Sequence, residues 1–176
     1  MTLDTGTRDA ILATVPSLRA FAVSLCGNLD RADDLVQETL TRALANIDSF
    51  RPGTNMAAWL FTILRNQFRS EYRKRRREVE DADGTHAQSL QAPPEQFARV
   101  EFDELRQALA KLPEDQREAL VLVGASGFSY EEAANICGCA VGTIKSRVNR
   151  ARTHLAQLMS LGDEDFARRG VAESGS

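Results

Sequence analysis

The chain has 176 residues, 43% of them hydrophobic and only 6% aromatic, with a formal net charge of -3; that is enough for one large or two small domains with a buried core. Its Ala, Leu, Arg, Glu and Gln content favours helix. Composition predicts no membrane span, the start "MTLDTGTRDAIL" lacks the pattern of a signal peptide, and an odd number of cysteines fits a reducing compartment, so a cytoplasmic location without membrane contact is expected.

The small net charge conceals a pattern. Residues 1–64 carry five basic and seven acidic side chains, residues 65–77 ("RNQFRSEYRKRRR") seven and one, and residues 78–104 one and eight. Residues 105–141 sum to -2, residues 142–159 to +4 and the remainder to -2. Two basic islands separated by an acidic stretch predict two contacts on one polyanion.

A first helix is predicted over about Thr7–Cys26, with Leu12, Val15, Leu18, Phe21, Ala22 and Leu25 on one stripe. Pro16 inside it predicts a kink or a split. A second runs from about Asp30, a candidate N-cap followed by acids, to Ile47. Leu35, Val36, Leu40, Ala43, Leu44 and Ile47 form its apolar side; Asp33, Asp34, Gln37, Glu38 and Thr41 face outward. The loop "DSFRPGTN", residues 48–55, turns at Pro52-Gly53. Thr54 or Asn55 caps a third helix, about Met56–Arg77. Trp59, Leu60, Ile63, Leu64, Phe68 and Tyr72 make its apolar stripe, and Arg65, Arg69 and Arg73 line up at four-residue intervals on another face.

Residues 79–97, acidic and containing Pro93-Pro94, read as a linker. A helix over about Ala98–Lys111 follows. Pro113 then starts another as its N1 residue, with Glu114 and Asp115 in the first turn, and that helix ends near Ala125. Ser129-x-x-Glu132 is a capping box opening a short helix that ends near Gly138. About four residues on, a last helix carries "GTIKSRVNRARTHL", residues 142–155. On a wheel of roughly 100° per residue, Val141, Ile144, Val148, Ala151 and Leu155 share the buried side. Thr143, Ser146, Asn149 and Arg150 point away, flanked by Lys145, Arg147 and Arg152. Two helices joined by a glycine turn, with small residues Ala133 and Ala134 at the crossing, read as a helix-turn-helix whose second helix meets base edges and phosphates. The alternative for a basic face alone is a solvated surface. Cys137 and Cys139 form a C-x-C, but with only His86 and His154 to add ligands they read as buried small hydrophobes or spectators. The tail 161–176 is polar enough for disorder, with Phe166 as a docking candidate. No His, Cys or carboxylate set has a catalytic spacing.

The order "DDLVQETLTRA", "AWLFTILRNQFRSEYRKR", linker, then "LPEDQREALVLVGASGFSYEEAANICGCAVGTIKSRVNRAR" resembles the extracytoplasmic-function (ECF) sigma factors of bacterial RNA polymerase, over residues 10–160. "RAFAVSLCGNLDRADDLVQETL" and "FRPGTNMAAWLFTILRN" are similar to the alphaproteobacterial general-stress group. The resemblance implies an all-α fold of two small helical domains joined by a flexible acidic linker. These are a region 2 domain at 7–78, the linker at 79–97, a region 4 domain at 98–160 and a polar tail at 161–176. It implies no enzyme activity, no cofactor and no metal.

By the same resemblance, Asp33, Asp34, Gln37 and Glu38 would contact the β′ clamp helices of core polymerase, and the second domain the β flap. Phe50, Arg51 and Asn55 are the candidates for capturing a flipped -10 base. Arg65, Asn66, Arg69, Arg73 and Lys74 would hold phosphates around the -10 element, whereas Arg75–Arg77 read equally well as a solvated helix end. Trp59 reads as core rather than a melting wedge. Thr143, Lys145, Ser146, Arg147, Asn149 and Arg150 would read the -35 element, with Ser129 and Tyr130 near phosphate. A small, largely helical anti-sigma factor is the implied regulator. Two rivals stand beside this reading: a sigma-like decoy that titrates an anti-sigma factor, and a stand-alone helix-turn-helix regulator, which leaves the first three helices unexplained.

Overall fold

A computed structural model describes residues 3–81 and 100–172, with side chains for residues 3–81 and 103–160. Linker residues 82–97, His86, the predicted helix start at Ala98 and the Phe166 side chain lie outside the described residues.

Helix α1 (Thr5–Cys26) begins where the Asp4 carboxylate accepts from the Thr7 N–H at 3.1 Å, and ends at Gly27, whose φ of 65° closes the last turn. The helix is not split at Pro16. Proline removes one backbone hydrogen bond, and here burial on both sides of it, at Ile11 and Leu18, holds the helix continuous. The buried stripe is also rotated from the predicted one. It uses Ile11 and Thr14, while Leu12 is 58% exposed. Thr14 satisfies its hydroxyl by donating to the Ala10 carbonyl at 2.8 Å. By length and composition alone α1 would be long and apolar enough to cross a membrane, with a mean hydropathy of 1.4 over 18 residues. It spends that character in the bundle, where Leu18, Phe21 and Ala22 are wholly buried.

Helix α2 (Leu29–Ala45) is capped by Asn28, whose side-chain oxygen accepts from the Arg31 N–H at 3.1 Å, and not by Asp30. Ala32, Leu35, Val36, Thr39 and Ala43 face the core. Leu44 stays exposed because the helix stops at Ala45 and Ile47 turns inward on a 3-10 turn, Ile47–Ser49. Helix α3 (Met56–Asp81) is capped by Asn55, whose Oδ1 accepts from the Ala58 N–H at 3.2 Å. It runs past its predicted end at Arg77, with an Arg76–Glu80 pair at 3.5 Å in the added turn. The three helices pack pairwise around Leu18, Phe21, Leu35, Leu60 and Leu64. Tyr72, expected on the apolar stripe, lies beyond the bundle and is half exposed.

The second half contains α4 (Val100–Lys111), α5 (Glu114–Leu120), α6 (Tyr130–Cys137) and α7 (Val141–Ala172). Pro113 is the N-cap of α5 rather than its N1 residue; its ψ of 142° is extended. Past α5 the chain widens into a π turn, Val121–Ala125, in which the Ser126 N–H donates to the Val121 carbonyl at 2.9 Å. Such wide turns redirect the chain beyond them, and Gly127, at φ 75°, then delivers Phe128 into the interior. The capping box of α6 forms as the sequence predicts: the Ser129 hydroxyl accepts from the Glu132 N–H at 3.1 Å, and Glu132 from the Ser129 N–H at 2.9 Å. Gly138, at φ 64°, ends the helix. Of the predicted inner residues of α7, Ile144, Val148 and Ala151 are wholly buried, while Val141 and Leu155 are half-buried. The helix continues to Ala172, so most of the expected irregular tail is helical. Only Gly162 and Gly170 oppose helix there, at about 1 kcal/mol each.

The two halves pack on each other, α3 against α6 and α1 against α5 and the π turn, and one buried cluster runs through both. Among the described residues there is no strand.

Candidate nucleic-acid interface

The outer face of α7 is the more accessible basic island. Lys145, Ser146, Asn149, Arg150 and Arg152 are exposed, and Thr143 and Arg147 half-buried. The Lys145 ammonium sits 5.8 Å from the centre of the Tyr130 ring, which holds the first turns of α6 and α7 together by a cation–π contact. Asn149 and Arg150 line an open groove with Gln116, Thr153, His154 and Gln157. The face thus offers amide, hydroxyl and guanidinium donors without a carboxylate in its own helix turns.

The island on α3 is different. Asn66, Arg73 and Lys74 are exposed, but Arg65 is only 7% exposed and its Nε donates to the carboxylate of Glu118 in α5, itself 1% exposed. Arg69 reaches the second oxygen of Glu118 at 3.3 Å and Asp115 at 3.3 Å. Burial works against the charge on Arg69, but Glu118, Glu114 and Asp115 outweigh it and raise the guanidinium above its ordinary value. Arg147 of α7 approaches the other oxygen of Asp115 at 3.7 Å. One carboxylate therefore joins both basic islands, which the sequence places far apart.

In the loop before α3, Phe50 is half-buried with its ring 5.2 Å from that of Trp59. Trp59 packs partly buried against the core, as its place on the stripe predicts. Arg51 and Asn55 are exposed, and the Asn55 amide donates to Glu132 across the domain boundary at 2.9 Å. The backbone bond from Ser129, and then the bond from Asn55, hold the Glu132 carboxyl below its ordinary range. On α2, Asp34 and Gln37 are exposed, whereas Asp33 binds Arg19 at 2.6 Å and Glu38 binds Arg42 at 2.8 Å. The Arg19 hydrogen bond lowers the Asp33 pKa. Both are exposed pairs of small net worth, exchanged readily for a partner.

Known proteins are similar to this chain in sequence and fold. The profile of sigma-70 region 2 matches residues 11–78, and that of sigma-70 region 4 matches residues 102–155. The chain is 73% identical to the ECF RNA polymerase sigma factor EcfG of Rhodopseudomonas palustris, over 94% of this chain and 92% of that one. It belongs to the ECF sigma factors. Among solved structures it is similar to the sigma factor RpoE of Bartonella quintana in complex with the anti-sigma factor NepR (54% identity, TM-score 0.81, 87% of this chain and 96% of that one). It is also similar to CnrH in complex with the cytosolic domain of CnrY (29% identity, TM-score 0.67, 88% of each chain). A sigma factor binds core RNA polymerase and directs it to promoter DNA, and this one carries both DNA-facing modules.

What a sequence reading missed in this sigma factor are the acidic partners of its own arginines. The signal was present. Glu118 precedes Val121 and Leu122 by three and four positions, and Arg65 follows Phe61 by four; all are buried. Charges falling on two apolar stripes are expected to meet each other, because neither is tolerated alone in an interior. Among the described residues no group of three or more His, Cys, Asp or Glu is arranged to hold a metal. Cys137 is buried, and its thiol is pushed up to about 12, first by desolvation and then by the charge of Glu118.

Proposed function

We propose that this sigma factor directs transcription of a general stress regulon and is held inactive by a small helical anti-sigma factor. The similarity to a sigma factor crystallised with NepR supports that regulation. In this reading α7 reads the -35 element through Thr143, Lys145, Ser146, Arg147, Asn149 and Arg150, with Ser129 and Tyr130 against phosphate. The single observation that carries it is the outer face of α7, which has no acid in its own turns and is held at a fixed angle by the capping box and the Gly138 turn. Arg can pair with guanine and Asn with adenine in the major groove, while flanking cations hold phosphates. Phe50, Arg51 and Asn55 are the candidates for the -10 base, and Arg65, Asn66, Arg69, Arg73 and Lys74 grip the strand around it. Asp33, Asp34, Gln37 and Glu38 dock on the β′ clamp helices, Asp33 and Glu38 trading Arg19 and Arg42 for polymerase cations. The chain supplies no catalytic step of its own and works in the cytoplasm beside the polymerase.

The test is run-off transcription with purified core polymerase on fragments of the source genome, with and without the chain. Discrete transcripts that appear only on its addition, and vanish when purified NepR-like protein is added, are expected. Transcripts that ignore the anti-sigma protein would remove the proposed regulation. The 73% identity to a sigma factor favours this role over a decoy that only titrates an anti-sigma protein.

A further inference from the structure

The interdomain hydrogen bonds from Asn55, Arg65 and Arg69 share one polarity. The first domain supplies the donors and the second the carboxylates: Asn55 to Glu132, Arg65 to Glu118, and Arg69 to Glu118 and Asp115. The donors are all drawn from the surface assigned above to the -10 strand, and this inference rests on that assignment. A carboxylate offers an amide or guanidinium two acceptor oxygens and a negative charge, as a phosphate does.

We propose that the second domain serves as an internal stand-in for DNA. Asp115, Glu118 and Glu132 occupy Asn55, Arg65 and Arg69, so the free chain is closed and these three donors of its -10 face are engaged until the domains part.

Three features make this a switch rather than a fixed core. All three acids ride on α5 and α6, so one rigid-body movement withdraws them together. A buried ion pair roughly breaks even against its own desolvation, and parting the domains returns Arg65 and Glu118 to water at once. Closure also buries the Phe61 and Phe128 rings against each other, so the apolar contact favours the closed form that the charges align. DNA or a polymerase surface that binds the same arginines competes directly with Glu118 and selects the open form.

The test uses the full, unbound chain. Glu118→Gln keeps the shape and removes the charge; Glu118→Lys sets a cation against Arg65 and Arg69. Small-angle scattering should give a radius of gyration that grows from wild type to Gln to Lys, with circular dichroism showing helix retained in each. Affinity for a fluorescent single-stranded oligonucleotide at fixed salt should rise roughly tenfold in Glu118→Gln, as two cations are freed for phosphate. An unchanged radius of gyration in both variants overturns the latch, whatever the DNA result. A larger radius with unchanged DNA affinity upholds the latch and counts instead against Arg65 and Arg69 as DNA contacts.

Discussion

Phe61 of α3 and Phe128, the residue before the α6 capping box, meet edge to face with ring centres 4.9 Å apart, although they belong to different domains. Phe61 also stacks on Phe21 of α1 at 4.9 Å, so one ring serves the first domain's core and the interface together. Edge-to-face pairs contribute about 0.5–1.5 kcal/mol beyond their buried area. A double-mutant cycle of Phe61→Leu and Phe128→Leu, measured by urea unfolding, should therefore return a coupling of about that size. A coupling of zero would mean that the rings do not meet in solution.

Glu132 links the capping box of α6 to Asn55. Its folded-state pKa lies below the ordinary 4.5, so folding favours the ionised form. The stability this contributes is fully present above pH 4.5 and is lost as pH falls through the folded value. Glutamine can still cap the helix but does not titrate. The urea midpoints of wild type and Glu132→Gln should differ at neutral pH and converge as the solution is acidified below 4.5. A gap that persists unchanged in acid would assign the difference to packing rather than charge.

Arg150 and Arg73 are both exposed arginines, on the two islands. Arg150→Ala should cost about 1–3 kcal/mol at promoters with the preferred -35 element and relax the preference among -35 variants. Arg73→Ala should weaken all promoters alike and reduce the salt slope of binding by about 1. Run-off transcription across a panel of promoter variants separates the two; identical profiles would refute the division of labour between the helices.

Cys137 should be inert in the native chain. Its thiol is buried and pushed up to about 12, leaving almost no thiolate, the reactive form, at around pH 8. Alkylation and mass spectrometry should find Cys137 unmodified in native protein and modified in urea. Rapid native labelling would show that the region around Glu118 opens freely.

The positions of the helices were legible from the sequence because the signals are local. Hydrophobic spacing located the elements, Ser129 and Glu132 announced the start of α6 three residues apart, and Gly138 its end. The inner face of α7 came from periodicity alone, since Ile144, Val148 and Ala151 repeat at helical intervals and are buried together. Errors arose where two adjacent stripes compete, as with Ile11 over Leu12, or where capping groups lie two residues apart, as with Asn28 over Asp30. There the packing of neighbouring helices casts the deciding vote. Only the tertiary structure decided what the arginines touch. Arg65 and Glu118 lie 53 positions apart, and no local rule pairs them. Their meeting depends on how two helical domains settle on each other, which is fixed by the fit of Phe61 to Phe128 and by the cost of burying either charge alone.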